Sequence, residues 1–206
     1  MVRSKPGGSE RAASAQATLR GVERLIAHVR SMEPVRMAVV HPCDALSLAG
    51  AIDARDAGII RPVLIAPRAK LQAAAAEAQI DLAGIECIDV PHSHAAAEKA
   101  AAMASRGEVD ALMKGSLHSD ELMAAIVPSA AGLRTKRRIT HCFVMETPAY
   151  PRPFIITDAA INIAPTLDDK ADIVRNAIDL AHVIGVAEPK VAILAAVETV
   201  NSRMPS

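Results

Sequence analysis

Short apolar runs alternate with alanine-rich stretches along this chain, and that alternation limits the fold more than any other feature. Residues 36–40 (R-M-A-V-V), 62–66 (P-V-L-I-A), 85–90 (I-E-C-I-D-V) and 109–113 (V-D-A-L-M) each read as a buried strand. Between them lie helices with legible ends. Asp44 can cap a helix carrying Leu46, Leu48, Ala49 and Ile52, which Gly58 stops. Pro67 opens a second helix reaching Ala78. Ser93 precedes a third, ending near Arg106 and Gly107, and a fourth covers residues 120–127. An earlier helix starts at Arg11, keeps Leu19, Val22, Leu25, Ile26 and Val29 on one stripe, and stops before Pro34. Right-handed strand–helix–strand crossovers account for such a sequence best, so the expected class is α/β with a mainly parallel sheet.

Composition agrees. Hydrophobic residues make up 51% of the 206, aromatics only 1%, and there is no Trp. Ala, Val, Ile and Leu must fill the interior, as in a parallel sheet covered on both faces. With 23 basic and 23 acidic residues the net charge is zero, so no overall field attracts nucleic acid or an anionic membrane. Cys43, Cys87 and Cys142 have no zinc-ligand spacing and suit reduced, buried thiols, hence a cytoplasmic setting. No run approaches the roughly 18 apolar residues of a membrane span, and the N-terminal residues do not read as a signal peptide.

A change in character at 132–138 (G-L-R-T-K-R-R) marks the expected domain boundary. Three segments follow from it: a flexible start and lead helix over 1–33, a first α/β domain over 34–133, and a second over 134–206. In the second, residues 139–146 and 154–157 read as neighbouring strands joined by a proline-rich turn. Asp168 or Asp169 starts a helix with Ile173, Ala177, Ile178 and Ala181 on one face, Gly185 ends it, and 190–197 read as a buried strand.

Ligands of open α/β sheets bind beyond the carboxyl ends of the strands, and several polar clusters fall there. Lys114 offers a charge to a phosphate, Gly115 lets backbone approach closely, and Ser116 offers a hydroxyl. The helix start downstream adds amide donors and a favourable dipole. A surface lysine in an ordinary turn is the plain alternative. The basic residues Arg134, Lys136, Arg137 and Arg138 suit either a solvated linker or a cationic rim for phosphates. Thr140 and His141 come next. Asp158 and Asn162, with Pro165, suit either a polar ligand contact or simple turn chemistry.

Taken together, the K-G turn followed by an acid, the R-I-T-H segment at 138–141, and D-x-x-x-N-x-x-P from Asp158 to Pro165 resemble the phosphate acetyltransferase/phosphate butyryltransferase family. The following D-x-K-A-D-I and P-K-V-A-I-L extend the likeness. The wording looks closest to the butyryltransferase branch and to the acyltransferase half of bifunctional enoyl-CoA hydratase/phosphate acetyltransferases. The resemblance implies two α/β domains around a cleft, the second incomplete in this chain, and acyl transfer between coenzyme A and inorganic phosphate. It implies acyl-CoA and phosphate as partners, no metal, no cofactor other than coenzyme A as substrate, and a homo-oligomer. It implies substrate contacts at Lys114, Gly115, Ser116, Thr140, His141, Asp158, Asn162, Glu198 and Asn201. The family's catalytic Ser-Arg pair and Asp fall beyond Ser206, so the chain alone is expected to be inactive. Ser202 and Arg203 stand in a different context and inherit no role. A non-catalytic CoA- or phosphate-binding protein is one alternative. A metal-dependent dehydrogenase of the isocitrate type, using Asp168, Asp169 and Asp172, is another.

Overall fold

The structure is a computed structural model that describes residues 21–194 and Thr199. They fall into two compact units divided between Lys136 and Arg137.

The first unit runs α1 (Gly21–Val29), β1 (Val35–Val40), α2 (Ala45–Asp56), β2 (Ile60–Ala66), α3 (Arg68–Ala78), β3 (Glu86–Asp89), α4 (Ser93–Ser105), β4 (Ala111–Lys114) and α5 (Ser119–Ile126), then a short 3₁₀ turn (Ser129–Ala131). Its sheet is parallel, in the order β3-β2-β1-β4. β1 is paired on both sides and covered on both faces, so Ala38, Val39 and Val40 are fully buried. Alternation along the strands sends Ala38, Val40, Val63 and Ile65 towards Ala96, Ala97, Ala100 and Met103 of α4. Val39, Leu64 and Ala66 go to the opposite face, against Leu48, Ala51 and Ile52 of α2 and Leu71, Ala74 and Ala75 of α3. Alanine on the helices lets them lie close to the sheet, which is how a core with almost no aromatics closes. Burying a side chain such as Leu64 or Val39 contributes about 1.5–3 kcal/mol. β3 sits at the edge and is largely exposed, and its Glu86 pairs with Arg36 at 2.7 Å.

Helix ends follow local chemistry. Asp44 caps α2, its carboxylate accepting the Ser47 N–H at 2.8 Å. α4 begins at Ser93 itself, with His92 as the cap: its Nδ1 accepts the Ala95 N–H. β4 is displaced towards the C-terminus from the expected 109–113. Lys114 pairs in register with Val40 and so ends the strand instead of opening the turn.

In the second unit, β5 (Phe143–Thr147) and β6 (Tyr150–Ile156) form an antiparallel pair that reverses at Pro148 and Ala149, and α6 (Leu167–Val183) follows. Residues 139–142 are not strand, and β6 begins earlier than expected, taking in Pro151 and Pro153. Proline lacks the N–H that a second neighbour would need, and among the described residues β6 pairs only with β5, so its other edge tolerates them. α6 starts from Thr166, not from Asp168 or Asp169. The Thr166 hydroxyl accepts the Asp169 N–H while the Asp169 carboxylate accepts the Thr166 N–H, a reciprocal cap.

The expected strand at 190–197 is not present in its described part. Residues 190–194 have no strand pairing, and Ile193 and Leu194 are 81% and 91% exposed. An apolar run becomes a strand only where a neighbour offers free N–H and C=O groups, and here none is paired with it. Residues 195–197, Glu198, Asn201, Ser202 and Arg203 lie outside the described residues, as do Arg11 and Leu19 of the lead helix.

Candidate functional site

The sheet order places one location apart from the rest. From β1 the chain steps to β2 and β3, then returns to the other side of β1 as β4. α2 and α3 cover one face and α4 the other. The carboxyl ends of β1 and β4 are therefore the switch point of the sheet, where the connections part and ligands of this architecture bind.

Lys114, Gly115 and Ser116 stand at that point. Gly115 is buried, and a Cβ there would lie 2.6 Å from both the Val40 and the His41 carbonyl oxygens. The position needs glycine because the chain's own backbone passes so close: Gly115 N–H donates to Val40 O at 2.8 Å. Lys114 is exposed, and its ammonium folds back to donate to the carbonyls of Leu117 at 2.7 Å and Gly115 at 3.2 Å. Both acceptors are neutral, so the positive charge is not cancelled by them. Ser116 Oγ accepts from Cys43 N–H at 3.0 Å and donates to His41 O at 2.9 Å.

The residues after β1 were not singled out from the sequence as site residues, although the strand-end rule applied to β4 covers His41 equally. His41 is buried, at 7% exposure, with a left-handed backbone at φ 55°. Burial pushes the Cys43 thiol up, which keeps it protonated and poorly nucleophilic at neutral pH. Hydrogen bonds from the Ser47 side chain and backbone hold the Asp44 carboxyl below its ordinary range.

The helix start beyond Ser116 does not act as the sequence suggests. Glu121 Oε2 accepts the His118 N–H at 3.3 Å, and its Oε1 takes the Ser93 hydroxyl at 3.0 Å and lies 2.9 Å from His94 Nδ1. The Ser93 bond, opposed by burial and aided by His118 and His94, leaves Glu121 below the usual carboxylate range. The N-terminus of α5 already carries its own anion, as Asp44 does for α2. The Ser116 hydroxyl proton is already given to His41 O, so Lys114 is the group with capacity for an anionic ligand at this switch point.

The second unit gathers its own polar cluster. Asp158 Oδ1 accepts His141 N–H at 2.6 Å. Its Oδ2 accepts from Ile161 N–H at 3.2 Å, from Asn162 Nδ2 at 2.9 Å and from the Asn162 N–H. Burial pushes the Asp158 carboxyl up, yet these bonds outweigh it and the net shift is downward. Asn162 also donates to Ile139 O at 3.1 Å and accepts from Arg138 Nε. The His141 ring lies 4.5 Å from that of Phe143.

The basic run divides. Arg138 reaches Asp169 at 3.2 Å, and its backbone N–H donates to Asp172 at 3.1 Å. Arg137 pairs with Asp179. Asn176 donates to Arg138 O and to Thr140 Oγ1, at 2.9 and 3.1 Å. These contacts tie residues 137–141 to α6. Arg134 donates to Ser129 Oγ at 3.2 Å in the first unit, and Lys136 is exposed. Asp169 and Asp172 are committed to the cap and to Arg138 and Arg175. Among the described residues, no group of His, Cys, Asp or Glu has the arrangement to hold a metal ion. No helix there is long and apolar enough to cross a membrane.

Residues 93–206 match the family model described as phosphate acetyl/butaryl transferase. The chain is 56% identical over 184 residues to the phosphate acetyltransferase of Rhizobium meliloti, covering 89% of this chain and 58% of that protein. It is 33% identical over 188 residues to the phosphate butyryltransferase of Clostridium acetobutylicum, covering 91% and 62%. A branched-chain phosphotransacylase from Enterococcus faecalis V583 superposes with a TM-score of 0.66 at 25% identity, covering 83% of this chain and 59% of that one. Identity is higher with this acetyltransferase than with this butyryltransferase, although the wording of the motifs leans to the latter. The chain spans little more than half the length of the curated relatives it matches.

Proposed function

The chain belongs to the phosphate acetyl/butaryl transferase family, and we propose that it serves acyl transfer between coenzyme A and inorganic phosphate, with acetyl as the preferred group. The observation that carries this reading is the lysine loop at the switch point, in a chain 56% identical to a phosphate acetyltransferase. In the reaction a phosphate oxygen attacks the thioester carbonyl carbon, the C–S bond breaks, and the thiolate leaves and takes up a proton. Such chemistry needs phosphate held by positive charge and hydrogen-bond donors close to the thioester. Lys114 supplies a charge whose present partners are neutral carbonyls it can exchange for a phosphate oxygen, and Ser116 between them holds the loop to His41 O. Asp158 and Asn162 act in this reading as the frame that holds Thr140 and His141. Neither a purely binding role nor a metal-dependent dehydrogenase draws support from the relatives.

The free thiols of Cys43, Cys87 and Cys142 suit a reducing, cytoplasmic setting. Phe143, Met145, Tyr150 and Ile156 are exposed on the β5–β6 pair, which supports association between copies, measurable by light scattering. The activity itself is tested by incubating the protein with acetyl-CoA or butyryl-CoA and following thiol release with and without inorganic phosphate. Release by these 206 residues alone is expected to be slight, and whatever release there is should depend on phosphate and run faster with acetyl-CoA. Release indifferent to phosphate would mark a thioester hydrolase and sink the reading.

A further inference from the structure

We infer that His41 is a positioning residue: it sets where Ser116 stands and, through Ser116, where the Lys114 ammonium is held. The link from that ammonium to phosphate rests on the acyl-transfer reading above.

His41 continues the ladder of β1 by donating its N–H to Ile65 O at 2.8 Å, then turns into the left-handed region. Non-glycine residues enter that region rarely, and Asn does so more readily than His. In this conformation the His41 carbonyl accepts both the Ser116 N–H and the Ser116 hydroxyl, each at 2.9 Å. The imidazole closes the bracket from the other side, with Nδ1 3.3 Å from the Ser116 carbonyl oxygen. That oxygen can only accept, so the contact is a hydrogen bond when Nδ1 carries the proton, and the proton is assigned there; the Ser116 Oγ stands 3.5 Å from the same nitrogen. Nε2 is buried and has no hydrogen-bond partner among the described residues. An orphaned buried ring nitrogen is a cost to the fold, and a residue chosen for stability alone would avoid it.

The bracket matters because of what flanks Ser116. The carbonyls that hold the Lys114 ammonium belong to Gly115 and Leu117, the residues on either side of it. Fixing Ser116 at its N–H, hydroxyl and carbonyl fixes both of those acceptors. His41 therefore controls Lys114 through Ser116 and the two carbonyls beside it.

The test uses the whole chain and three readouts. Nitrogen-15 NMR of the histidine rings reads the tautomer, and His41 is expected with the proton on Nδ1. Proton on Nε2 would overturn the inference. Calorimetric titration of inorganic phosphate then compares variants. His41→Asn keeps tolerance of the left-handed backbone and a donor near the place of Nδ1, and is expected to bind within about threefold of wild type. His41→Gly keeps the backbone freedom and the carbonyl but loses the ring that closes on the Ser116 carbonyl, and is expected to bind at least roughly tenfold more weakly. In a Lys114→Ala background, His41→Gly is expected to cause no further loss, because the two residues act in one chain of contacts. Equal binding by wild type and His41→Gly, a loss in His41→Asn as large as in His41→Gly, or additive losses with Lys114→Ala would each overturn it. Should wild type bind no phosphate, the acyl-transfer reading fails, and His41 is judged by the tautomer and by hydrogen exchange of the Ser116 amide. That exchange must quicken by roughly tenfold in His41→Gly and not in His41→Asn.

Discussion

Asp158 Oδ1 lies 2.6 Å from the backbone nitrogen of His141 and accepts its hydrogen bond, which ties the segment after β6 to the segment before β5. The other carboxylate oxygen gathers donors from Ile161 and Asn162. A single side chain thus satisfies backbone groups on both sides of the hairpin.

Replacing Asp158 by Asn puts an amide NH₂ against backbone donors on one side or the other. The expected loss is about 1–3 kcal/mol at neutral pH, read from urea unfolding. The pH dependence follows from the lowered carboxyl. A group whose folded pKa is depressed stabilises above its unfolded value, about 3.9 for Asp, and that contribution fades as pH falls through the folded value. The gap between wild type and Asp158→Asn should therefore be full above about pH 5 and shrink in stronger acid. A gap that stays constant down to the acid transition would mean the carboxylate charge is not what holds His141.

Gly115→Ala tests the approach of β4 to the end of β1. The new methyl would sit 2.6 Å from the carbonyl oxygens of Val40 and His41, and both are backbone. Neither can move without opening the ladder that pairs Val40 with Lys114. The expected cost is about 1–3 kcal/mol or more, with weaker phosphate binding alongside, since the loop must shift. Unchanged urea midpoint and binding would show that β1 and β4 separate more easily than their contacts suggest.

Arg138→Ala and Lys136→Ala separate linker from ligand rim. Arg138 engages Asp169 and Asn162, whereas Lys136 is exposed. Arg138→Ala should cost about 1–2 kcal/mol in stability, more than a lone surface ion pair because the Asn162 bond is lost too. Lys136→Ala should stay within about 0.5 kcal/mol. CoA titration that weakens tenfold for Arg138→Ala without loss of stability would restore the rim to Arg138.

Much of the first unit was legible because its signals are local. Asp44, Gly58 and Pro67 mark helix ends by their own chemistry, and each does so in the structure. The strands were readable from apolar runs, with ends off by a residue or two where pairing, not composition, sets the limit, as Lys114 shows. Strand order is a long-range property, so nothing local revealed that β4 returns beside β1, or that His41 and Ser116 would meet across a separation of 75 residues. The basic run stayed open between linker and rim because charge in a sequence does not say whether acids from a later helix will meet it. Asp169 and Asp179 meet Arg138 and Arg137 from α6. The run from Lys190 read as a strand on hydropathy alone, and hydropathy supplies no pairing partner.

Lys114→Ala isolates the charge at the switch point from the fold around it. The side chain is exposed and, among the described residues, its ammonium donates only to the carbonyls of Gly115 and Leu117, so the core loses nothing when it is cut back. The backbone pairing with Val40 does not depend on the side chain, and alanine keeps it. Stability should therefore change by less than about 1 kcal/mol. Binding should not be spared. A phosphate oxygen meeting an ammonium forms a charge-assisted hydrogen bond of about 1.5–3 kcal/mol, which corresponds to roughly a ten- to hundredfold loss of affinity. Calorimetric titrations of inorganic phosphate and of coenzyme A into wild type and Lys114→Ala measure it directly, with Lys114→Arg as the variant that keeps charge. Arg in this place should recover part of the affinity, because its planar fork is bulkier and cannot fold onto the same two carbonyls. The loss should diminish as salt rises, since an exposed charge is screened. Equal affinities for wild type and Lys114→Ala would leave Lys114 as a solvated strand end, and the phosphate would have to be sought away from the carboxyl end of β4.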